Sequence, residues 1–233
     1  MGARLTKKRK QALEKIEKGR LYSIDEAAKL VKEIAYENFD SSIDLAVRLG
    51  VDPRKADQMV RGTIVLPHGI GKEKKVLALV LPEQEEEARQ AGADYVGLDE
   101  YIEKIQKGWL DFDVVVATPQ AMPKVSKVAR ILGPRRLMPT PKAGTVTDKI
   151  GQAVKEFKRG RITFKVDKAG NVHVPVGRKS FEPEKIAENV NEFLNYLIKI
   201  KPAAAKGTYM KSIHLSSTMS PSIPIDPKSI KRN

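Results

Sequence analysis

The sequence predicts an α/β protein of two domains. One is a discontinuous two-layer α/β domain formed by residues 1–67 with 160–233; the other is a three-layer α/β domain inserted between them at 68–159. Three observations predict it. The middle third alternates short, continuously apolar runs with amphipathic segments, the rhythm of a parallel sheet covered on both faces. The outer thirds instead carry runs in which apolar and polar residues alternate, the mark of half-buried strands. Neither outer third holds enough strands and helices to enclose a core alone, so each needs the other.

The elements follow in order. Lys7-Lys8-Arg9-Lys10 leads into a short helix that ends near Gly19. Ser23-Ile24-Asp25-Glu26 is a capping box: the serine hydroxyl accepts from an orphan amide and the glutamate reaches back to the cap amide. It opens a second helix striped by Ala27, Leu30, Val31 and Ile34. Ile43, Leu45, Val47 and Leu49 then alternate with Asp44, Ala46 and Arg48 as a strand, and Gly62 to Leu66 forms another, stopped by Pro67. In the insertion, strands are expected at Val76 to Leu81, near Tyr95-Val96 and at Val114 to Ala117. Helices are expected over 83–91, 99–107, 121–132 and 148–159. Beyond it, two alternating runs flank Asp167-Lys168-Ala169-Gly170-Asn171: Ile162, Phe164 and Val166 before, Val172, Val174 and Val176 after. The pattern reads as a β-hairpin. Pro183 suits the first turn of a long helix, whose stripe is Ile186, Val190, Phe193, Leu194, Leu197 and Ile198. A final strand from Thr208 to Met219 precedes a polar, proline-containing tail.

Composition narrows the chemistry. The net charge of +14 predicts attraction to polyanions, nucleic acid above all. Residues 160–233 are the most basic piece, with 13 Lys+Arg against 6 Asp+Glu. The absence of cysteine excludes disulfides, thiolate zinc sites and thiol nucleophiles. No apolar run approaches the roughly 20 residues that span a bilayer, so no membrane is expected. Gly2 and Thr6 fit the short myristoylation pattern, against which stands an ordinary N-terminal tail.

No catalytic residue, metal site or cofactor is expected. The chain has no Gly-x-Ser-x-Gly elbow. His68, His173 and His214 lie far apart without carboxylates at ligand spacing, and the last two read as surface or RNA-facing strand residues. His68-Gly69-Ile70-Gly71-Lys72 is followed by Glu73, where a phosphate-cradling loop needs Ser or Thr for its magnesium. It reads as a domain connection. The cluster Glu83, Glu85, Glu86 and Glu87 reads as a solvated first helical turn. A nucleotide-dependent enzyme on the inserted domain is the rival reading, carried only by fold-level analogy.

Basic and polar features point elsewhere. No acid occurs between Asp113 and Asp148, while Lys124, Lys127, Arg130, Arg135, Arg136 and Lys142 do. Gly133-Pro134-Arg135-Arg136 and Pro139-Thr140-Pro141-Lys142 form a stiff basic stretch that suits phosphate as well as it suits a solvated loop. Arg54, Lys55 and Arg61 form a second basic set. On the last strand, Ser212, His214, Ser216 and Thr218 share one side. Hydroxyls and imidazoles can bond 2′-hydroxyls and base edges, though a solvent-facing strand carries the same residues.

Several ordered stretches carry a resemblance. They include Gly50-Val51-Asp52-Pro53-Arg54-Lys55, Gln58-Met59-Val60-Arg61-Gly62-Thr63 and Leu66-Pro67-His68-Gly69. Ala91-Gly92-Ala93-Asp94-Tyr95-Val96-Gly97, Phe112-Asp113, Arg130-Ile131-Leu132-Gly133-Pro134-Arg135 and Pro141-Lys142-Ala143-Gly144-Thr145-Val146 follow. Ala205-Lys206-Gly207-Thr208 and Ser217-Thr218-Met219 complete the set. Along nearly its whole length the chain resembles the L-one family of bacterial large-subunit ribosomal proteins, translational repressors among them. The resemblance implies the two-domain arrangement above, with a Rossmann-like insertion. It also implies a non-enzymatic, cytoplasmic, ribosome-associated protein, monomeric when free. Its implied partners are large-subunit ribosomal RNA, exit-site transfer RNA and its own operon's messenger RNA. As a member it would form the mobile stalk and assist release of deacylated transfer RNA. Ribosomal RNA contacts are implied at Phe39, Lys168, Thr218, Met219 and Ser220, and transfer-RNA-facing positions at Arg54, Lys55, Arg61, Arg130, Arg135 and Arg136. Three departures stand out: Ser220 and Arg136 replace usual glycines, and Thr140 a usual asparagine.

Overall fold

In the computed structural model the described residues are 6–72, 74–135, 137–141 and 144–231, without the side chain of Ala56. Gly2, Arg136 and Lys142 therefore lie outside them. The chain divides into two compact units, residues 1–71 with 162–233, and 72–161. In chain order the elements are α1 (Lys7–Glu14), α2 (Ile24–Ile34), β1 (Ser42–Leu49), β2 (Arg61–Val65), β3 (Val76–Leu79), α3 (Glu85–Gln90), β4 (Tyr95–Gly97) and α4 (Asp99–Gln106). There follow β5 (Val114–Ala117), α5 (Met122–Val125), α6 (Ala129–Leu132), α7 (Ile150–Lys158), β6 (Arg161–Lys165), β7 (Asn171–Arg178), α8 (Pro183–Lys199), β8 (Met210–Ser217) and β9 (Ile223–Ile225).

The outer unit is a four-stranded sheet, order β7-β1-β8-β9, with antiparallel neighbours. Period-two alternation sends Leu45, Val47, Val172, Val174, Ile213, Leu215, Ile223 and Ile225 to one face, all buried. There they pack on the stripes of α2 (Ala27, Val31, Ile34) and α8 (Ile186, Val190, Phe193, Leu194, Leu197) in a single core. Both helix starts follow the sequence: Ser23 and Glu26 close the capping box, and Pro183 stands in the first turn of α8.

Two expectations are corrected here. The hairpin is absent: β6 pairs with β2 and β7 with β1, in separate sheets. Asp167 Oδ1 accepts from the backbone N–H groups of Ala169 and Asn171, and Gly170 adopts a left-handed φ of 84°. This tight turn redirects the chain, so the two runs reach the same core through different ladders. Phe164 on β6 does so by packing edge-on against Phe193, ring centroids 5.1 Å apart. The tail, in turn, contains a strand. β9 pairs with β8, and its outer edge bonds Tyr22, whose N–H donates to Pro224 O.

The inserted unit is a parallel three-stranded sheet, order β4-β3-β5. The central strand β3 is buried on both faces, so each side feeds a different core. Leu77, Leu79, Val115 and Ala117 meet the segment 121–132 and α4, while Val76, Ala78 and Val116 meet Ala88 of α3 and Ile150, Val154 and Phe157 of α7. The helix expected over 121–132 is broken into α5 and α6 with 3₁₀ turns at 119–121 and 126–128. Pro119 and Pro123 deny amide donors there, and Ser126 Oγ donates to Met122 O at 2.9 Å, which bends a helix. Glu87 does more than face water: its Oε1 accepts from the Gly151 N–H at the start of α7.

Candidate nucleic-acid interface

The face of the four-stranded sheet opposite α2 and α8 carries the other half of the alternation. Asn171, His173 and Pro175 of β7, Asp44, Ala46 and Arg48 of β1, Ser212, His214 and Ser216 of β8, and Pro224 of β9 are all half-buried or exposed. Register sorts them into cross-strand rows. His173, Ala46, His214 and Pro224 form one, Pro175, Asp44 and Ser216 a second, and Asn171, Arg48 and Ser212 a third. Histidines 41 positions apart in sequence thus flank one alanine, about 10 Å from each other at two inter-strand spacings. Among the described residues no group of three His, Asp or Glu side chains could hold a metal ion.

The Asp44 side chain makes no hydrogen bond or ion pair among the described residues. Burial pushes its carboxyl above the usual range, against the weaker opposing pull of His173. His214 Nδ1 is also buried without a hydrogen-bond partner. Both groups are half-desolvated and hold unused bonding capacity, which is costly unless a ligand completes it.

The five residues implied to contact ribosomal RNA divide between the two ends of this face. Phe39 and Met219 are among the most exposed large apolar side chains, at 53% and 49%. The segment around Phe39 and the loop after β8 are tied together: Tyr36 O–H donates to Met219 O at 2.7 Å, and Thr218 Oγ1 donates to Ser42 O at 3.4 Å. Ser220 has a local task, since its Oγ accepts from Ser217 N–H and donates to Pro221 O, both at 3.0 Å. Lys168 stands exposed on the turn at the other end, where Leu49 N–H donates to Gly170 O. The eight residues of β1 separate the two groups, about 23 Å at the usual strand rise. Tyr36 and Asp44 are the residues the motifs did not single out. The alternation already put Asp44 on the polar side of its strand, whereas nothing local marks Tyr36.

The basic residues are exposed. Arg54 and Lys55 lie on the turn after β1, Arg61 on β2, and Arg130 and Arg135 at and just beyond α6 in the inserted unit. None of the five side chains has a hydrogen-bond or ion-pair partner among the described residues. By contrast Lys124 is paired with Asp99 at 2.8 Å. The His68–Gly71 segment offers no phosphate cradle. Buried Asn189 of α8 accepts from His68 N–H at 3.2 Å and donates to Gly69 O at 3.0 Å, and Nε2 of His68 pairs with Glu188. No helix among the described residues is long and apolar enough to cross a membrane.

Comparison with known proteins shows the family. The family model described as the ribosomal protein L1p/L10e family matches residues 31–221, a span that includes Phe39, Lys168 and Thr218 to Ser220. The large ribosomal subunit protein uL1 of Flavobacterium psychrophilum is 60% identical over 228 residues, covering 98% of this chain and 100% of the relative. Its counterpart in Parabacteroides distasonis is 61% identical over 231 residues, with coverages of 99% and 100%. That of Porphyromonas gingivalis is 59% identical over 231 residues, again covering 99% and 100%.

Proposed function

The chain belongs to the ribosomal protein L1p/L10e family, and on that premise we propose that it is a non-catalytic constituent of the large ribosomal subunit whose outer unit binds ribosomal RNA directly. The observation that carries the proposal is the uncovered sheet face, which holds an unpaired carboxylate, an unpaired imidazole nitrogen and serine hydroxyls between two exposed ends. Such groups match base edges and 2′-hydroxyls, the features that distinguish a folded RNA from a generic polyanion. Phe39 supplies a ring against sugar or base, Met219 adaptable packing, Thr218 oxygen lone pairs and Lys168 a phosphate contact. Ser220 acts through the shape of its loop.

In the subunit this protein forms the mobile stalk beside the exit site and assists release of deacylated transfer RNA. Arg54, Lys55, Arg61, Arg130, Arg135 and Arg136 face that ligand. Five of them have no hydrogen-bond or ion-pair partner among the described residues, which leaves their charge for phosphate. The same sheet face takes a similarly folded segment of the operon's messenger RNA and represses its translation. The protein works in the cytoplasm on the ribosome and is monomeric when free.

The test is filter binding to a stalk-region fragment of large-subunit ribosomal RNA against a random RNA of equal length, across a salt series. Phosphate contacts weaken as salt rises, so binding to the random RNA should fade first and preference for the fragment should widen. Equal affinity for the two RNAs at every salt concentration would falsify the proposal.

A further inference from the structure

We propose that Tyr36 is a positioning residue that sets the RNA-contact tip Thr218–Ser220 before RNA arrives; the inference rests on the binding reading above. The tip is a bend without regular backbone pairing, and it presents one of the most exposed apolar side chains of the chain, Met219. A loop of this kind ordinarily loses conformational freedom on binding, and that loss weakens affinity. Here four consecutive residues are held from three directions. Ser220 Oγ closes the bend on Ser217 N–H, Thr218 Oγ1 reaches β1 through Ser42 O, and Tyr36 O–H holds Met219 O.

The Tyr36 bond differs from the other two. Its ring packs on the main core, but its hydroxyl is at the surface, within reach of water. The bond therefore satisfies no stranded donor, and its consequence is where it puts Met219. The ground beneath it is fixed as well. The adjacent Glu37 is buried at 5% exposure, and Lys179 Nζ holds its carbonyl at 2.7 Å. Burial alone would raise its carboxyl, yet the nearby Ser217 and Ser41 hydroxyls and Lys179 hold it below the usual range, although neither carboxylate oxygen makes a hydrogen bond of normal geometry among the described residues. The tip itself is held by the Tyr36, Thr218 and Ser220 bonds.

The experiment is a double-mutant cycle on the full chain, read as affinity for the stalk-region RNA fragment beside a thermal melt. Tyr36→Phe keeps the ring and removes the donor. Affinity should fall about 3- to 10-fold, the net worth of one hydrogen bond, with the melting temperature unchanged. In a Met219→Ala background the same substitution should have no further effect, because what it positions is gone. Ser220→Gly, which releases the bend from the other side, should reproduce the loss. Wild-type affinity for Tyr36→Phe, or an equal loss in both backgrounds, overturns the inference. So does a harmless Met219→Ala, though RNA binding itself would then stand. Failure of the wild-type protein to prefer the fragment over random RNA would instead overturn the binding reading.

Discussion

Asn189→Ala tests how the outer unit holds the chain where it leaves for the insertion. Asn189 is fully buried on α8, and its side chain serves three backbone groups. It accepts from His68 N–H at 3.2 Å and donates to Gly69 O at 3.0 Å and Val176 O at 2.8 Å. Alanine removes all three bonds. Val176 O lies deepest, and stranding a buried acceptor costs about 1–3 kcal/mol. The two loop groups are partly buried and can recover water, so roughly 0.5–1 kcal/mol each is a fair allowance. The sum is about 2–5 kcal/mol, large for one side chain. With a urea dependence of about 2 kcal/mol per molar, the midpoint should fall by about 1–2.5 M. The assay is urea unfolding of the full chain with two probes. Far-UV circular dichroism follows both units, while the only tryptophan, Trp109, lies in the inserted one. The dichroism transition should split and its early part move, while Trp109 fluorescence keeps its midpoint. An unmoved dichroism curve would show that the three bonds contribute little. A Trp109 transition that moves by the same amount would show that the damage is not confined to the outer unit.

Two further substitutions probe the sheet. Asp44→Asn removes a desolvated, unpaired charge whose carboxyl is raised in the fold. The penalty of holding that charge is full above the raised pKa, shrinks as pH falls through it, and is gone below the ordinary carboxyl range. The variant should therefore melt higher than wild type at neutral pH and equal to it in acid. Its affinity for the ribosomal RNA fragment should nonetheless drop about tenfold or more, since a hydrogen bond to a charged group is worth about 1.5–3 kcal/mol. Lower stability at neutral pH, or unchanged RNA affinity, would count against the assignment. Gly50→Ala should destabilise the outer unit by about 1–3 kcal/mol. A Cβ there would stand 2.2 Å from Thr208 O, where Gly50 N–H already donates to Tyr209 O at 2.6 Å. A thermal melt within a degree of wild type would show that the β1 and β8 junction yields more easily than this geometry allows.

Periodicity reports burial more faithfully than it reports hydrogen bonding. Ala121, Val125, Val128 and Leu132 keep helical spacing and are all fully buried, so the sequence revealed which face turns inward. The bonding beneath that face is broken because Pro119, Pro123 and Ser126 interrupt it. The same distinction explains the missing hairpin. Ile162, Phe164 and Val166 and then Val172, Val174 and Val176 are buried as their alternation requires, but alternation is silent on which strand lies beside them. β9 escaped notice for another reason. It is three residues long with Pro224 at its centre, and proline is tolerated only where a strand end or edge leaves its missing donor unneeded.

The site was legible to the same extent. Alternation told which residues of β1 and β8 face away from the helices, Asp44 and His214 among them, but pairing decides which of them become neighbours. The link between Tyr36 and Met219 spans 183 positions, beyond the reach of any local pattern. The net charge of +14 suggested phosphate as the ligand, but its meaning is narrower. The uncovered face carries Arg48 beside an unpaired Asp44 and two histidines, so it is not a basic patch. The unpaired arginines lie on loops, at the end of α6 and on β2. On the RNA-binding reading proposed above, long-range attraction and selection would thus reside on different surfaces. Charge raises the encounter rate with any RNA, while a half-desolvated carboxylate repels a phosphate and accepts only from a donor. On the same reading, a face with Asp44 near its centre would meet base edges or sugar hydroxyls, which would make shape rather than charge the basis of recognition.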